Sequence, residues 1–373
     1  MKILITGDFC PVCRTEPLLK AGQVDTLFGN FLPIIQNADF AITNLEAPLV
    51  STLASPIFKI GPLLKGLPHT ARFLKDAGFH AVTLANNHFR DYGDEGIADT
   101  LQLCDEVGLK HVGGGSSLQN AALPLIINTS GCSIGILNAC EHEFSIAENT
   151  HGGANPIDPL NLFQDLQSVK GKTHYRIIIL HGGVETYRLP SIEMKRLSRF
   201  LVDTGADLVV WHHSHCFSGM EEYHSKKIFY GLGNFIFDWK GKRNSDWNFG
   251  IALSLEFRND QFICIPHFYQ QSNQSAGIRL LNNEEREIKE AEFLKLSQLV
   301  ENDELLEQEI QKFAYLKRNE YCSALEIFPG RITNFLRRKR LLPSFLTLKQ
   351  KIWIRNLLLC ESHRAILSRI LEK

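Results

Sequence analysis

The sequence predicts an α/β fold, and three observations carry that reading. Short β-branched runs alternate with helical stretches from residue 1 to about 270, turn residues punctuate the joins, and the runs at 124–138 and 249–268 read as hairpins. Helices between the early strands imply parallel crossovers. The hairpins, around Thr129-Ser130-Gly131 and Arg258-Asn259-Asp260, require antiparallel neighbours. One large mixed sheet, or two packed sheets, flanked by helices satisfies both.

In chain order the strand candidates are 2–6, 39–43, 80–84, 124–129, 132–138, 175–180, 207–211, 227–230, 249–257 and 261–268. Helices are expected over 24–36, 68–77, 94–107, 160–169 and 190–204, where apolar residues recur at helical spacing between polar ones. Beyond 270 the composition changes. Residues 281–310 carry ten acidic and three basic side chains, residues 331–373 eleven basic and two acidic. Both stretches read as helix, with Pro329-Gly330 as punctuation between them. The chain thus divides into a domain at 1–270 and a helical, charge-polarised extension at 271–373.

With 44% hydrophobic and 22% charged residues over 373 positions, the chain has the make-up of a folded globular protein, neither disordered nor fibrous. Its 40 basic and 41 acidic residues nearly cancel, so no whole-chain field recommends nucleic acid as a partner. The opening Met1-Lys2-Ile3-Leu4-Ile5-Thr6 meets Gly7-Asp8 too soon for the apolar core of a signal peptide. No stretch reaches the roughly 18 uninterrupted apolar residues of a membrane span. Nine scattered cysteines suit reduced thiols better than a disulfide framework. A cytoplasmic location is the resulting expectation.

Polar clusters follow five of the strand candidates, and in α/β proteins the crevice beyond the strand carboxyl ends is where ligands bind. They are Gly7-Asp8, Asn44-Leu45-Glu46, Ala85-Asn86-Asn87-His88 leading into Asp91, His181-Gly182-Gly183-Val184-Glu185, and Trp211-His212-His213-Ser214-His215. Carboxylates, an Asn carbonyl and imidazoles suit a divalent ion such as Mn, Fe or Zn. With so many ligands, two ions bridged by one carboxylate or a single ion both fit. Taken singly, Gly-Asp reads as a turn, Asn-Asn-His as a helix cap and His181 as a hydrogen-bonded pocket residue. Three histidines within four positions at a strand end resist a packing explanation.

Three further motifs are weaker. Cys10-Pro11-Val12-Cys13 has redox spacing, but the preceding Asp8 raises rather than lowers a thiol pKa, so it reads as a loop, with metal contact by Cys10 the lesser alternative. Gly113-Gly114-Gly115-Ser116 has no lysine at P-loop spacing and reads as a flexible turn. Glu141-His142-Glu143 could line a pocket, with no role fixed.

These motifs together resemble the CapA family, the poly-γ-glutamate capsule biosynthesis proteins, whose domain is similar to calcineurin-like metallophosphoesterases. The resemblance covers residues 1–270 and runs in the family's order. It is carried by Gly7-Asp8, Asn44-Leu45-Glu46-Ala47-Pro48-Leu49, Leu84-Ala85-Asn86-Asn87-His88 with Asp91-Tyr92-Gly93 and Gly96, and His111-Val112-Gly113-Gly114-Gly115. Further on come His181-Gly182-Gly183-Val184-Glu185, Gly205-Ala206-Asp207-Leu208-Val209 with His212-His213-Ser214-His215, and Tyr230-Gly231-Leu232-Gly233-Asn234-Phe235.

The resemblance implies a metallophosphoesterase-like mixed β-sandwich and a set of roles. Asp8 and His215 would bind one metal, Glu46 would bridge, and Asn87, His181 and His213 would bind the second. His88 would act as general acid or transition-state donor, and Asn44, Asn86, His212, Asn234 and Glu185 would line the pocket or support ligands. Where such enzymes have Asp-x-His, this chain has Asp8-Phe9-Cys10, one nitrogen ligand fewer at the first metal. Gly182 and Ser214 stand where the family pattern has Trp and Pro, which alters pocket shape more than metal binding.

Two functions follow as expectations. One is a metal-dependent hydrolase acting on a surface-polymer precursor or a phosphorylated small substrate; the other is a non-catalytic, metal-binding partner of a polymer synthase. The tail adds a third question. Ile352, Ile354, Leu357, Leu358, Ile366, Leu367, Ile370 and Leu371 lie among basic residues, a pattern that suits either peripheral membrane contact or packing against the acidic 281–310 segment. Packing is the expected outcome.

Overall fold

The computed structural model describes residues 1–50, 54–129, 131–258, 261–325, 335–336, 339, 341 and 346–371. Ser130 and Asn259-Asp260 at the two hairpin tips, and the Pro329-Gly330 punctuation, lie outside the described residues. The strands of the first half are Lys2–Cys10 (β1), Phe40–Leu45 (β2), Ala81–Thr83 (β3), Lys110–Val112 (β4), Gly114–Gly115 (β5), Leu125–Thr129 (β6), Cys132–Cys140 (β7) and Gly153–Ala154 (β8). The rest are Tyr175–His181 (β9), Leu208–His212 (β10), Met220–Tyr223 (β11), Lys226–Phe229 (β12), Asn234–Phe237 (β13), Phe249–Arg258 (β14), Gln261–Gln271 (β15) and Ile278–Leu280 (β16).

Fourteen of these sixteen strands form two mixed sheets, and β5 pairs with β8 as a separate two-stranded ladder. The first has the order β16-β15-β14-β1-β2-β3-β4, with β13 pairing alongside β1; the second runs β11-β12-β10-β9-β7-β6. Both expected hairpins are present, as the antiparallel pairs β6/β7 and β14/β15. Strand β16 adds an edge to the first sheet at residues that the composition change had placed in the extension.

Side-chain alternation along the strands sets the layers. Ile3 and Ile5 of β1 meet Ile177 and Ile179 of β9 and Leu208 and Val210 of β10 in a core between the sheets. The alternate residue Leu4 faces Phe28, Phe31, Phe73 and Phe79 under the helices over the first sheet. Likewise Ile178 and Leu180 face Leu162, Leu166 and Leu201 of helices Pro159–Val169 and Ile192–Thr204. Burial on both faces explains why these parallel strands read as unbroken apolar runs. Each buried Ile or Leu contributes roughly 1.5–3 kcal/mol relative to exposure.

The expected helix at 24–36 is broken into Val24–Phe28 and Leu32–Gln36 by a 3-10 turn, Gly29–Phe31, with Gly29 at φ 46°. The extension is helical at Asn283–Glu301, Asp303–Leu325, Leu348–Leu359 and Glu361–Leu371. Leu357, Ile366, Leu367 and Ile370 of its last two helices pack on Ile310, Ala314 and Tyr321, and Arg369 pairs with Glu307 at 2.9 Å. Leu358 and Leu371 remain exposed. No described helix is long and apolar enough to cross a membrane.

Candidate metal centre

The carboxyl ends of β1 and β2 in one sheet and of β9 and β10 in the other bring the strand-end motifs together. Register makes the meeting specific: Asp8 lies opposite Asn44 and Asn234, and His212 lies opposite His181. Gly7-Asp8 is not a turn. Strand β1 continues through it to Cys10, and a Cβ at residue 7 would stand 1.8 Å from the Gly233 carbonyl oxygen, so only glycine admits this approach.

Asp8 is wholly buried and held from several sides. Asn44 donates to its Oδ1 at 2.8 Å, and the His213 backbone N–H donates to Oδ2 at 3.3 Å. Nδ1 of His215 stands 3.5 Å from Oδ2. Asn44 is itself fixed, its Oδ1 accepting from Thr83 and Asn86 at 3.2 Å each. Asn234 accepts from Nδ1 of His215 at 3.0 Å, which leaves Nε2 of that ring 3.7 Å from Glu46. His181 presents Nε2 to Asn87 Oδ1 at 3.2 Å, His213 Nδ1 at 3.0 Å and Glu46 at 3.7 Å. His213 and His215 adopt φ of 91° and 58°, left-handed values that L-residues rarely take, so the chain holds strain where it aims these two rings.

Burial and mutual proximity shift these groups in opposite directions. Burial opposes a charge on Asp8, but His215, His212 and His181 together hold its carboxyl below the ordinary range. Burial and neighbouring Asp8 push Glu46 well above it. Burial and His213 drive His181 well below the usual imidazole range. For His215 burial is outweighed by Glu46 and Asp8, and its pKa is lifted to about 10.

Both carboxylate oxygens of Glu46 and both ring nitrogens of His212 are buried without a hydrogen-bond partner among the described residues. Orphaned polar atoms of this kind demand an explanation, and a bound ion is one. Three overlapping ligand groups surround them: Asp8, Glu46 and His215; Glu46, His181 and His213; Asp8, His181 and His212. Carboxylate oxygens and imidazole nitrogens without thiolate fit Mn, Fe or Zn. Cys10 joins none of these groups, and burial with Glu46 and Asp91 holds its thiol high.

His88 sits beside this cluster. Its Nδ1 is 2.7 Å from Asp91 Oδ2 and 3.1 Å from the Lys59 ammonium, and Lys59 also pairs with Asp91. The carboxylate can only accept and the ammonium can only donate, so Asp91 and Lys59 compete for Nδ1, and Nε2 has no hydrogen-bond partner among the described residues. Burial and Lys59 lower the His88 pKa against the pull of Asp91. The Asn86 amide braces the loop by donating to the Leu45 carbonyl at 2.9 Å, and Asn138 accepts from Ala85 N–H at 2.8 Å. Glu185 is solvent-exposed and within electrostatic reach of His215, His213 and His88.

Lys59 carries no motif, whereas the Glu141-His142-Glu143 stretch that could line a pocket does adjoin the cluster. Glu141 stands 3.4 Å from Nε2 of His213, and Glu143 is held acidic against burial by His363, His213 and Asn87. The extension reaches these residues directly: Glu361, Ser362 and His363 contact His142, Glu141 and Glu143. The triple glycine is no flexible turn either. Gly114–Gly115 pairs with Gly153–Ala154, and Gly113, at φ 86°, has Asn138 against it where a Cβ would go.

Among relatives, the chain is 28% identical over 254 residues to "Capsule biosynthesis protein CapA" of Bacillus anthracis, covering 66% of this chain and 62% of that one. It is 30% identical over 247 residues to "PGA biosynthesis protein CapA" of Bacillus subtilis, 64% of each. The chain thus spans less than two thirds of the length of these curated relatives. Among solved structures it is similar to the calcineurin-like phosphoesterase YfkN of Bacillus subtilis, with 12% identity and a TM-score of 0.41 over 81% of this chain and 99% of that one. The family described as "Bacterial capsule synthesis protein PGA_cap" matches residues 2–239. Residues 2–239 contain every strand end that builds the cluster, and the chain belongs to this bacterial capsule synthesis family.

Proposed function

We propose that the chain is a divalent-metal-dependent hydrolase of phosphoester-type chemistry, acting on a phosphorylated substrate or precursor in the making of poly-γ-glutamate or a related surface polymer. The observation that carries this reading is the Glu46 carboxylate, which accepts no hydrogen bond among the described residues and is buried between Asp8 and His215 on one side and His181 and His213 on the other. Asp8, His215 and Glu46 would hold one ion, with His212 the further nitrogen donor within reach of Asp8; Glu46, Asn87, His181 and His213 would hold a second. When bound, such ions polarise a phosphoryl oxygen and acidify water near neutral pH.

The chain's own residues do the rest. Asn44 and the His213 N–H orient Asp8, and Asn234 fixes the His215 ring. His88 gives up a proton at Nε2 to the leaving group once its ring is protonated, Asp91 steadying the charge. Full-length protein loaded with Mn should turn over a generic phosphodiester. Glu46→Gln and His213→Ala should lose both bound metal and turnover; a variant that keeps full activity overturns the assignment.

A second reading has its own support. Asn87, His88, His213 and His215 are each 5% exposed or less, and the extension grips the adjoining 141–143 strap. That enclosure also suits a metal pocket used for recognition by a polymer synthase. Wild-type protein inert towards phosphomonoesters, phosphodiesters and γ-glutamyl peptides, with polymer production still lost in pocket variants, would favour it.

A further inference from the structure

A second group of ligand-type side chains lies outside the cluster described above, where the extension meets the domain. Glu143, Cys360 and His363 bring a carboxylate oxygen, a sulfur and a ring nitrogen within 4.8 Å of one another. Glu143 follows β7, whereas Cys360 and His363 lie at the start of the last helix, beyond the residues matched by the family. We propose that these three residues bind a zinc ion that clamps the extension to the strap at 141–143.

Four features of the surroundings support the assignment. Cys360 is fully buried at the extended joint between the last two helices, and His363 follows three residues later in the first turn of the second of them. Tyr321 holds Nδ1 of His363 at 2.8 Å, and Nε2 of the same ring lies 3.5 Å from Glu143. This is how a metal-binding imidazole is usually oriented, one nitrogen fixed by a polar partner and the other left for the ion. Acidic side chains converge here too: Glu141, Glu143 and Glu361 lie together, and their carboxylates approach the histidines 213, 363 and 142.

Thiolate, imidazole and carboxylate together are a zinc donor set, and three protein ligands leave a fourth position for water. The thiol must release its proton to solvent as the ion binds, and the ion's charge offsets the loss. Burial, Glu141 and Glu143 hold that thiol protonated in the metal-free protein. The site does not depend on the hydrolase reading, because none of its ligands belongs to the groups around Glu46.

Cobalt(II) titration of the full chain separates the two. A thiolate bound to cobalt gives a near-ultraviolet charge-transfer band, which the all-oxygen-and-nitrogen groups around Glu46 cannot produce. The wild type should develop the band to one equivalent and lose it on adding zinc. Cys360→Ser should abolish it, His363→Gln should weaken cobalt binding at least tenfold, and His213→Ala and Cys10→Ser should retain it. Cobalt uptake by the wild type without the band overturns the proposal, whatever the folding of the variants. So does a band that survives Cys360→Ser or disappears with Cys10→Ser.

Discussion

Ser362 donates both its backbone N–H and its hydroxyl to the Glu141 carboxylate, at 3.4 and 3.1 Å. The oxygen that accepts the Ser362 hydroxyl also lies 3.4 Å from Nε2 of His213, so Ser362 is one side chain from the candidate metal centre. The extension is therefore coupled to the site through a buried acid.

Burial, Glu143 and Glu361 raise the Glu141 pKa well above its ordinary value, more than the Ser362 bonds lower it. A carboxyl raised on folding binds more protons in the folded state. Its contribution to stability is full below the unfolded pKa and is lost as pH rises through the folded one. Glu141→Gln keeps hydrogen-bonding atoms and removes the charge. In chelator-treated protein the variant should melt higher than wild type at neutral pH, the gap closing as pH is lowered towards 4.5, the ordinary Glu value. A gap independent of pH would assign the effect to packing.

Strands β1, β9 and β10 were readable because apolar cover on both faces leaves continuous runs such as Ile177-Ile178-Ile179-Leu180. Lys110-His111-Val112 and Met220-Glu221-Glu222-Tyr223 carry no such signal; tertiary pairing makes them strands. The site divides in the same way. Asp8, Glu46, His181 and the 212–215 triplet announce themselves by following apolar runs. Lys59 lies in a loop of unremarkable composition, and Ser362 meets Glu141 across 221 residues of chain, a contact that local pattern cannot encode.

Glu46 sets stability against function. Its buried carboxyl accepts no hydrogen bond among the described residues and is costly without a cation, so Glu46→Gln should raise the melting temperature of metal-free protein, a change of about 1–3 kcal/mol. The same variant should lose the stabilisation that added Mn gives the wild type, and lower phosphodiesterase kcat/KM by more than about 100-fold, beyond the loss usual for an outer-shell residue. Thermal unfolding with and without Mn tests the first two outcomes, steady-state kinetics the third.

His212 distinguishes a ligand from a pocket wall. Both its nitrogens lack partners, and Nδ1 is 3.7 Å from Asp8. If it supplies the nitrogen donor absent from Asp8-Phe9-Cys10, His212→Ala should reduce bound metal towards one ion while His215→Ala and Asp8→Asn do the same. Elemental analysis decides it: unchanged stoichiometry in His212→Ala alone makes the ring a wall.

Gly113 tests the brace beneath the 85–88 loop. A Cβ there would stand 1.9 Å from Asn138 Oδ1, the atom that accepts from Ala85 N–H. Gly113→Ala should cost about 2 kcal/mol or more by denaturant unfolding, from left-handed strain and displaced Asn138 together. Asn138→Ala loses the bonds to Ala85 and Ile179, and in that background Gly113→Ala should add less, since the obstructing side chain is gone.

Lys59 should govern the pH dependence of His88. The charged groups facing that ring are Lys59, Asp91 and Glu185; burial and Lys59 disfavour the imidazolium, and the two carboxylates favour it. A general acid works only while protonated, so kcat should fall as pH rises through a His88 pKa that lies below the ordinary 6.5. Lys59→Met removes the opposing cation and frees Asp91 to act on the ring alone. The His88 pKa then rises, and the alkaline limb of the kcat profile should move to higher pH, whereas Asp91→Asn should move it lower. His88→Asn should remove the limb and cost about 100-fold or more in kcat. A limb that stays in place in both Lys59→Met and Asp91→Asn belongs to another group and takes the general-acid role away from His88.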